Sequence, residues 1–166
     1  LQISPASLTK IMTLYIVGNK LKLGELTLDE NVLISAKAWK TGGSKMFVEV
    51  GSKVKVDDLI KGVAVQSGND ASVALAEHIA GSEENFAILM NYHAKKIGMH
   101  NTNFANSTGM PNDNHYTTAR DLAILTKKMV KEQPNIYKYF AGKSFKFNNI
   151  NQENRNRLLF SMVGVD

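Results

Sequence analysis

A polar tripeptide, Ser67-Gly68-Asn69, interrupts a stretch that otherwise reads as one continuous buried helix. Before it, Leu59, Ile60, Val63 and Ala64 repeat at helical spacing over Asp57–Gln66. After it, Ala71, Val73, Ala74, Leu75 and Ala76 leave almost no polar face over Ala71–Ala80, the pattern of a helix inside a core. A serine, a glycine and an asparagine are unusual company there. Gly68 lets the backbone turn sharply and present Ser67 and Asn69 to one side. The plainer alternative is a helix–helix turn in which Asn69 or Asp70 caps the second helix, and both readings stand at this point.

A second pair carries chemistry of its own. Ser7 and Lys10 lie in Ser4-Pro5-Ala6-Ser7-Leu8-Thr9-Lys10, where Ser4 suits an N-cap and Pro5 the first helical position. Leu8, Ile11, Met12, Tyr15 and Ile16 continue at helical spacing, and the helix is predicted to fade near Gly18 and Asn19. Residues three apart on a helix share a face, with Cβ atoms roughly 5–6 Å apart. A hydroxyl nucleophile needs a base to take its proton, so the spacing suggests serine acyl-transfer chemistry with a lysine base. The positive end of the helix would favour a developing oxyanion at Ser7.

Composition removes several classes. At 166 residues with 43% hydrophobic and 21% charged, the chain suits one domain with a sizeable core. The net charge of +5 comes from lysines scattered along the sequence, without the basic and aromatic clusters of a nucleic-acid partner. The absence of cysteine excludes a disulfide framework and a thiolate metal site. His78, His93, His100 and His115 match no zinc spacing, Asp113-Asn114 lacks the rest of a calcium loop, and neither metal nor cofactor is expected. No apolar run is long enough to span a membrane. Leu1-Gln2-Ile3 is not a signal peptide, and without an initiator Met the chain reads as a mature or trimmed product.

The rest of the chain is read coarsely. Asn31–Ser35, Met46–Val50, Lys53–Val56 and Ser144–Asn148 are predicted strands, with 149–157 mostly polar. Ser82 caps a helix ending near Gly98, and Thr117 or Thr118 caps another reaching Glu132, where Pro134 ends or restarts it. Asn101–Tyr116, rich in Asn, Thr, Gly and Pro, is predicted as loop and contains the glycosylation-like triplet Asn106-Ser107-Thr108.

Taken together, a Ser-x-x-Lys at a helix start followed by Ser-x-Asn on an interhelical turn resembles the active-site serine penicillin-recognising enzymes. Pro5-Ala6-Ser7-Leu8-Thr9-Lys10-Ile11-Met12-Thr13 and Gln66-Ser67-Gly68-Asn69-Asp70-Ala71 resemble one branch, the D-alanyl-D-alanine carboxypeptidases of the low-molecular-mass penicillin-binding type. Lys45-Met46-Phe47, Leu59-Ile60-Lys61-Gly62, Asn101-Thr102, Thr118–Ala123 and Asn154-Arg155-Asn156 extend the resemblance along most of the chain. It implies the α/β (α+β) β-lactamase/transpeptidase-like fold, with residues 1–166 a single, incomplete penicillin-binding catalytic domain. The part present would be mostly helical, with terminal sheet strands missing.

The resemblance also implies roles. Ser7 would attack the carbonyl between the terminal D-alanines of a peptidoglycan stem peptide. Lys10, made neutral by burial and a nearby cation, would take its proton. Ser67 would relay a proton to the leaving amine, and Asn69 would hold the substrate carbonyl and bond Lys10. The Ser7 backbone N–H would form half of an oxyanion hole, and β-lactams would acylate the same serine. Arg155 is a candidate for steering the terminal carboxylate, and Ser44 for the substrate rim. The implied location is extracytoplasmic, with membrane contact only through segments outside this chain. A third family motif, Lys-Thr-Gly on a strand, should follow soon after Val165-Asp166. Lys40-Thr41-Gly42 has its letters on the wrong side of Ser67 and is read as loop near Ser44. Two alternatives remain: a β-lactamase of the same fold, against which residues 103–121 offer no Glu-x-x-x-Asn, and a catalytically incompetent fragment that binds peptidoglycan or a partner.

Overall fold

Helix α1, Thr9–Lys22, is buried on nearly every side and touches most of the other helices. Met12, Leu14, Ile16 and Val17 are fully enclosed, and Thr9, Lys10 and Thr13 are buried with them. A helix so placed owes its stability to packing more than to propensity, and its buried polar side chains need partners from neighbouring elements. The computed structural model describes residues 1–165, so Asp166, where the last segment was read to end, lies outside the described residues.

The elements follow in the order α1, β1 (Asn31–Leu33), α2 (Ala36–Lys40), β2 (Lys53–Lys55), α3 (Val56–Gln66), α4 (Asn69–Ala80) and α5 (Glu83–Ile97). After a loop come α6 (Ala119–Glu132), α7 (Pro134–Tyr137), β3 (Ser144–Phe147), β4 (Ile150–Glu153) and α8 (Leu158–Ser161). Helices α3, α4, α5, α6 and α7 pack against α1, and α2 lies on α4. The strands form two antiparallel pairs: β1 with β2, where Val32 faces Val54, and β3 with β4, where Phe145 faces Gln152. Asn148 and Asn149 turn the second hairpin with positive φ at both positions, the geometry for which asparagine is well suited.

Several predicted boundaries move. Ser4 and Pro5 do not start the helix: Pro5 precedes a single 3₁₀ turn, Ala6–Leu8, and no side chain caps either it or α1. The two backbone bonds between Ile3 and Thr117, both 2.9 Å, fix the chain before that turn. Helix α1 runs to Lys22 rather than fading at Gly18, because Gly18 is buried against Gln133 and Ile136 and Lys20 and Lys22 lie in the last turn. The predicted strand 31–35 ends at Leu33, and Ser35 instead caps α2 by accepting the Ala38 N–H. Lys40-Thr41-Gly42 is the end of that helix and the start of a loop, as its place in the sequence suggested.

Met46–Val50 is not a strand, for a reason that bears on the site. The N–H groups of Met46, Phe47 and Val48 are not free for a ladder, because the Asp70 carboxylate accepts all three. Strand β4 was missed because Ile150-Asn151-Gln152-Glu153 has no apolar alternation, and only Gln152 of the four is buried. The Ser82 and Thr118 caps and the helix end at Gly98 are as predicted.

Candidate active site

Three segments converge on the first turn of α1. The 3₁₀ turn carries Ser7, and α1 carries Lys10 three residues on, with the Lys10 Nζ 3.5 Å from the Ser7 Oγ. Lys10 is 3% exposed, and its amine donates to the Asn69 Oδ1 and to the Thr108 carbonyl, each at 2.7 Å. Burial first, and then the positive charge of Arg155, bring its pKa down to about 8, with Asp70 opposing them. The arrangement would orient the amine as a base. A neutral amine has two hydrogens and one lone pair; Asn69 and Thr108 take the hydrogens, which leaves the lone pair for the side on which Ser7 stands.

Ser67 closes α3 in the left-handed region, φ 60° and ψ 37°, unusual for a residue with a side chain. The sharp turn is thus at Ser67, whereas Gly68 has an ordinary φ of −61°. Space is tight at 68: a Cβ there would meet an Asp70 Oδ1 at 3.0 Å and the Met46 nitrogen at 3.2 Å, so those neighbours would have to give way. Asn69 begins α4 with its side chain committed to the site, the Oδ1 to Lys10 and the Nδ2 donating to the Gly42 carbonyl at 2.8 Å. Capping does not explain the tripeptide, since no side chain caps α4. The Ser67 Oγ is buried without a hydrogen-bond partner, an exception among buried hydroxyls that calls for a reason.

Ser44 and Arg155 meet beside Asn69. The Arg155 Nη1 donates to the Ser44 Oγ, and the Ser44 carbonyl accepts the Asn69 N–H at 2.7 Å. All six residues singled out in the sequence, Ser7, Lys10, Ser44, Ser67, Asn69 and Arg155, therefore belong to one connected region. Ser67 enters it through its neighbours Gly68 and Asn69 rather than through a bond to Lys10.

Sequence reasoning missed the loop on the opposite side. The Ser107 carbonyl accepts from the Thr13 and Ser72 hydroxyls, both at 2.8 Å, which pins the loop to α1 and α4 just before Thr108 presents its carbonyl to Lys10. His115 is buried, and its Nδ1 accepts the Ala105 N–H while its Nε2 bonds the Thr9 hydroxyl at 2.8 Å. The ring is therefore neutral with its proton on Nε2, and burial lowers its pKa. Gly109, at φ +85°, lies so close to the Ala6–Leu8 turn that a Cβ would come within 1.7 Å of the Ala6 carbonyl oxygen. A backbone carbonyl leaves no residue-type signal, but Asn106 and Gly109 do: the Asn106 Oδ1 accepts the N–H groups of Thr108 and Gly109, an asparagine-closed turn.

The D-alanyl-D-alanine carboxypeptidase family profile matches residues 1–166. The chain belongs to that family. It is 47% identical over 166 residues to the D-alanyl-D-alanine carboxypeptidase DacC of Escherichia coli, a match covering 96% of this chain and 42% of that protein. Penicillin binding protein 5 of Haemophilus influenzae superposes with a TM-score of 0.94 at 44% identity, over 97% of this chain and 48% of the other. A penicillin-binding protein of Listeria monocytogenes, solved with ampicillin bound, superposes at 0.85 with 26% identity, over 98% of this chain and 66% of the other. The fold is therefore that of the penicillin-binding transpeptidase-like proteins, represented by a helix-rich part with two small sheets. The chain spans less than half the length of curated relatives such as DacC and the Haemophilus influenzae DacA, 42% of each.

Proposed function

We propose that the protein is a serine-type D-alanyl-D-alanine carboxypeptidase that trims peptidoglycan stem peptides through an acyl-enzyme on Ser7, and that β-lactams acylate the same serine. The observation that carries this reading is the Lys10 amine, buried, lowered to about 8 and held by two carbonyls beside the Ser7 hydroxyl. Ser7 attacks the carbonyl of the penultimate D-alanine as Lys10 takes its proton. The Ser7 N–H, one turn ahead of α1, stabilises the oxyanion together with the positive end of that helix. Collapse of the tetrahedral species breaks the peptide C–N bond, and the proton passes through the Ser67 hydroxyl to the leaving D-alanine amine. The unpartnered Ser67 Oγ supports that role. Asn69 holds the base with its Oδ1, and the Nδ2 hydrogen that the Gly42 carbonyl does not take, which rests near the Met110 sulfur at 3.5 Å, is the one offered to the substrate amide carbonyl. Arg155 and Ser44 form the rim toward the substrate's terminal carboxylate, an acceptor suited to a guanidinium fork. Water then attacks the acyl-enzyme, with Lys10 again as base, and frees the shortened peptide.

Such an enzyme works outside the cytoplasm, where the stem peptides are. Among the described residues no helix is long and apolar enough to cross a membrane. A β-lactamase of the same fold needs a carboxylate free to hold a hydrolytic water. Asp70, the carboxylate whose charge acts on Lys10, already accepts four backbone N–H groups, which favours the carboxypeptidase. The test is release of D-alanine from a synthetic pentapeptide ending in D-Ala-D-Ala by the full-length protein. Free D-alanine that disappears with Ser7→Ala supports the proposal. Intact pentapeptide with folded protein overturns it.

A further inference from the structure

Asp70 is 1% exposed and, among the described residues, has no lysine or arginine as a hydrogen-bonding partner. Its carboxylate is satisfied by backbone: Oδ1 accepts Met46 at 3.0 Å and Ala71 at 2.9 Å, and Oδ2 accepts Phe47 at 2.9 Å and Val48 at 3.2 Å. Three of these donors are consecutive residues of a segment with no regular structure of its own. The carbonyls of the same segment face the other way. Met46 accepts from the Gln152 side chain at 3.1 Å and Phe47 from that of Asn148 at 3.2 Å, both in the β3–β4 hairpin. Residues 46–48 are thus a bracket between α4 on one side and the hairpin on the other. Two residues before the bracket lies Ser44, bonded to Asn69 and Arg155; two residues after β4 lies Arg155 itself.

The bracket is held in a conformation it would not choose. Phe47 has φ 68°, a left-handed geometry that a bulky residue adopts only when its surroundings impose it, at a cost of about 1–3 kcal/mol. Its side chain is half exposed, so burial of the ring is not what imposes it. The carboxylate is: charge-assisted bonds to buried N–H groups are among the strong ones.

We infer that Asp70 is a positioning residue of the site: by gathering the N–H groups of residues 46–48 it fixes the rim, Ser44 and Arg155, against Asn69 and the Lys10 amine. The inference rests on the acylation chemistry proposed above and adds the group that assembles its substrate side. Asp70 also acts on the base directly. The charged groups bearing on Lys10 are Asp70 from α4, which favours the ammonium form, and Arg155 from after β4, which opposes it. The loop that packs over α1 contributes the Thr108 carbonyl and, one residue along at Thr9, the neutral His115. One carboxylate therefore holds both the frame and part of the electrostatic balance.

The variant Asp70→Asn keeps the shape, removes the charge and turns an NH₂ group toward N–H donors. In the full-length protein, acylation by a fluorescent penicillin should slow at least tenfold at its plateau. Its rising pH limb should move to lower pH, because the loss of a negative charge favours neutral Lys10. A slower rate with the limb unmoved would reduce Asp70 to a fold residue and overturn the inference, as would an unchanged rate. Should the variant fail to fold, amide exchange in the wild type decides. Met46, Phe47 and Val48 should exchange as slowly as buried helix amides despite lying in coil, and exchange at the rate of the neighbouring loop amides would overturn the inference. If wild type is not labelled by penicillin at all, the functional reading fails, while the exchange measurement still judges the bracket.

Discussion

Replacing Arg155 by Gln should move the pH at which Ser7 becomes reactive, and the size of the move follows from the electrostatics around Lys10. The ammonium of a free lysine near 10.5 leaves about 0.03% neutral amine at pH 7; at about 8 the fraction is about 10%, roughly a 300-fold gain in competent base. Desolvation is the largest cause and Arg155 the next. A neighbouring unit charge partly screened by solvent is worth on the order of 1 kcal/mol, or about 0.7 of a pH unit. Acylation by a labelled penicillin should therefore rise about tenfold per pH unit below 7 and flatten near 8 in the wild type. In Arg155→Gln the same curve should lie about 0.7 of a unit to higher pH. The assay is the second-order labelling rate from pH 5.5 to 9.5, normalised to each protein's own plateau so that any loss of carboxylate binding cancels. A limb in the same place, or shifted to lower pH, would refute the claim that the guanidinium helps to keep the base neutral.

Other consequences follow from the same geometry. The folded pKa of Lys10 lies below its unfolded value, so its contribution destabilises most below about 8 and is relieved as pH rises toward 10.5. Wild type should gain about 2 kcal/mol on Lys10→Met between pH 7 and 9.5 in paired denaturant titrations, and a constant gap would contradict a depressed pKa. Gly109→Ala drives a methyl into the Ala6 carbonyl at a positive φ, and should cost about 2 kcal/mol or more and slow labelling of Ser7 at least tenfold; a near-silent variant would show that the loop does not seat the nucleophile turn. His115→Gln removes a buried bond to Thr9 worth about 1 kcal/mol at pH 8. Because the folded pKa of His115 is depressed, its contribution is complete above about 6.5 and erodes as pH falls, so the gap to wild type should narrow toward pH 5.

The chemistry was more legible in the sequence than the frame that holds it. Ser7 and Lys10 could be paired from spacing alone, because a helical turn fixes which residues meet, even though Ser7 proves to lie in a 3₁₀ turn ahead of α1. Ser67-Gly68-Asn69 was conspicuous because polar residues within a buried run demand a reason. What could not be read were contacts made by backbone atoms. The Thr108 carbonyl on Lys10 depends on a loop folding back over about a hundred residues of chain. Met46–Val50 has strand-like composition, yet its N–H groups are captured by a carboxylate rather than a neighbouring strand. Asp70 looked like a capping residue because position 70 follows a turn. Only its burial and its four donors reveal a different role.

The central claim is that Ser7 is a nucleophile activated by Lys10, and intact mass spectrometry of the full-length protein with benzylpenicillin tests it most directly. The account predicts one adduct per chain, persisting for at least many minutes, mapped by peptide digestion to Ser7, and absent in Ser7→Ala and Lys10→Met. A folded protein that takes no adduct, or one that carries it on another residue, would contradict it.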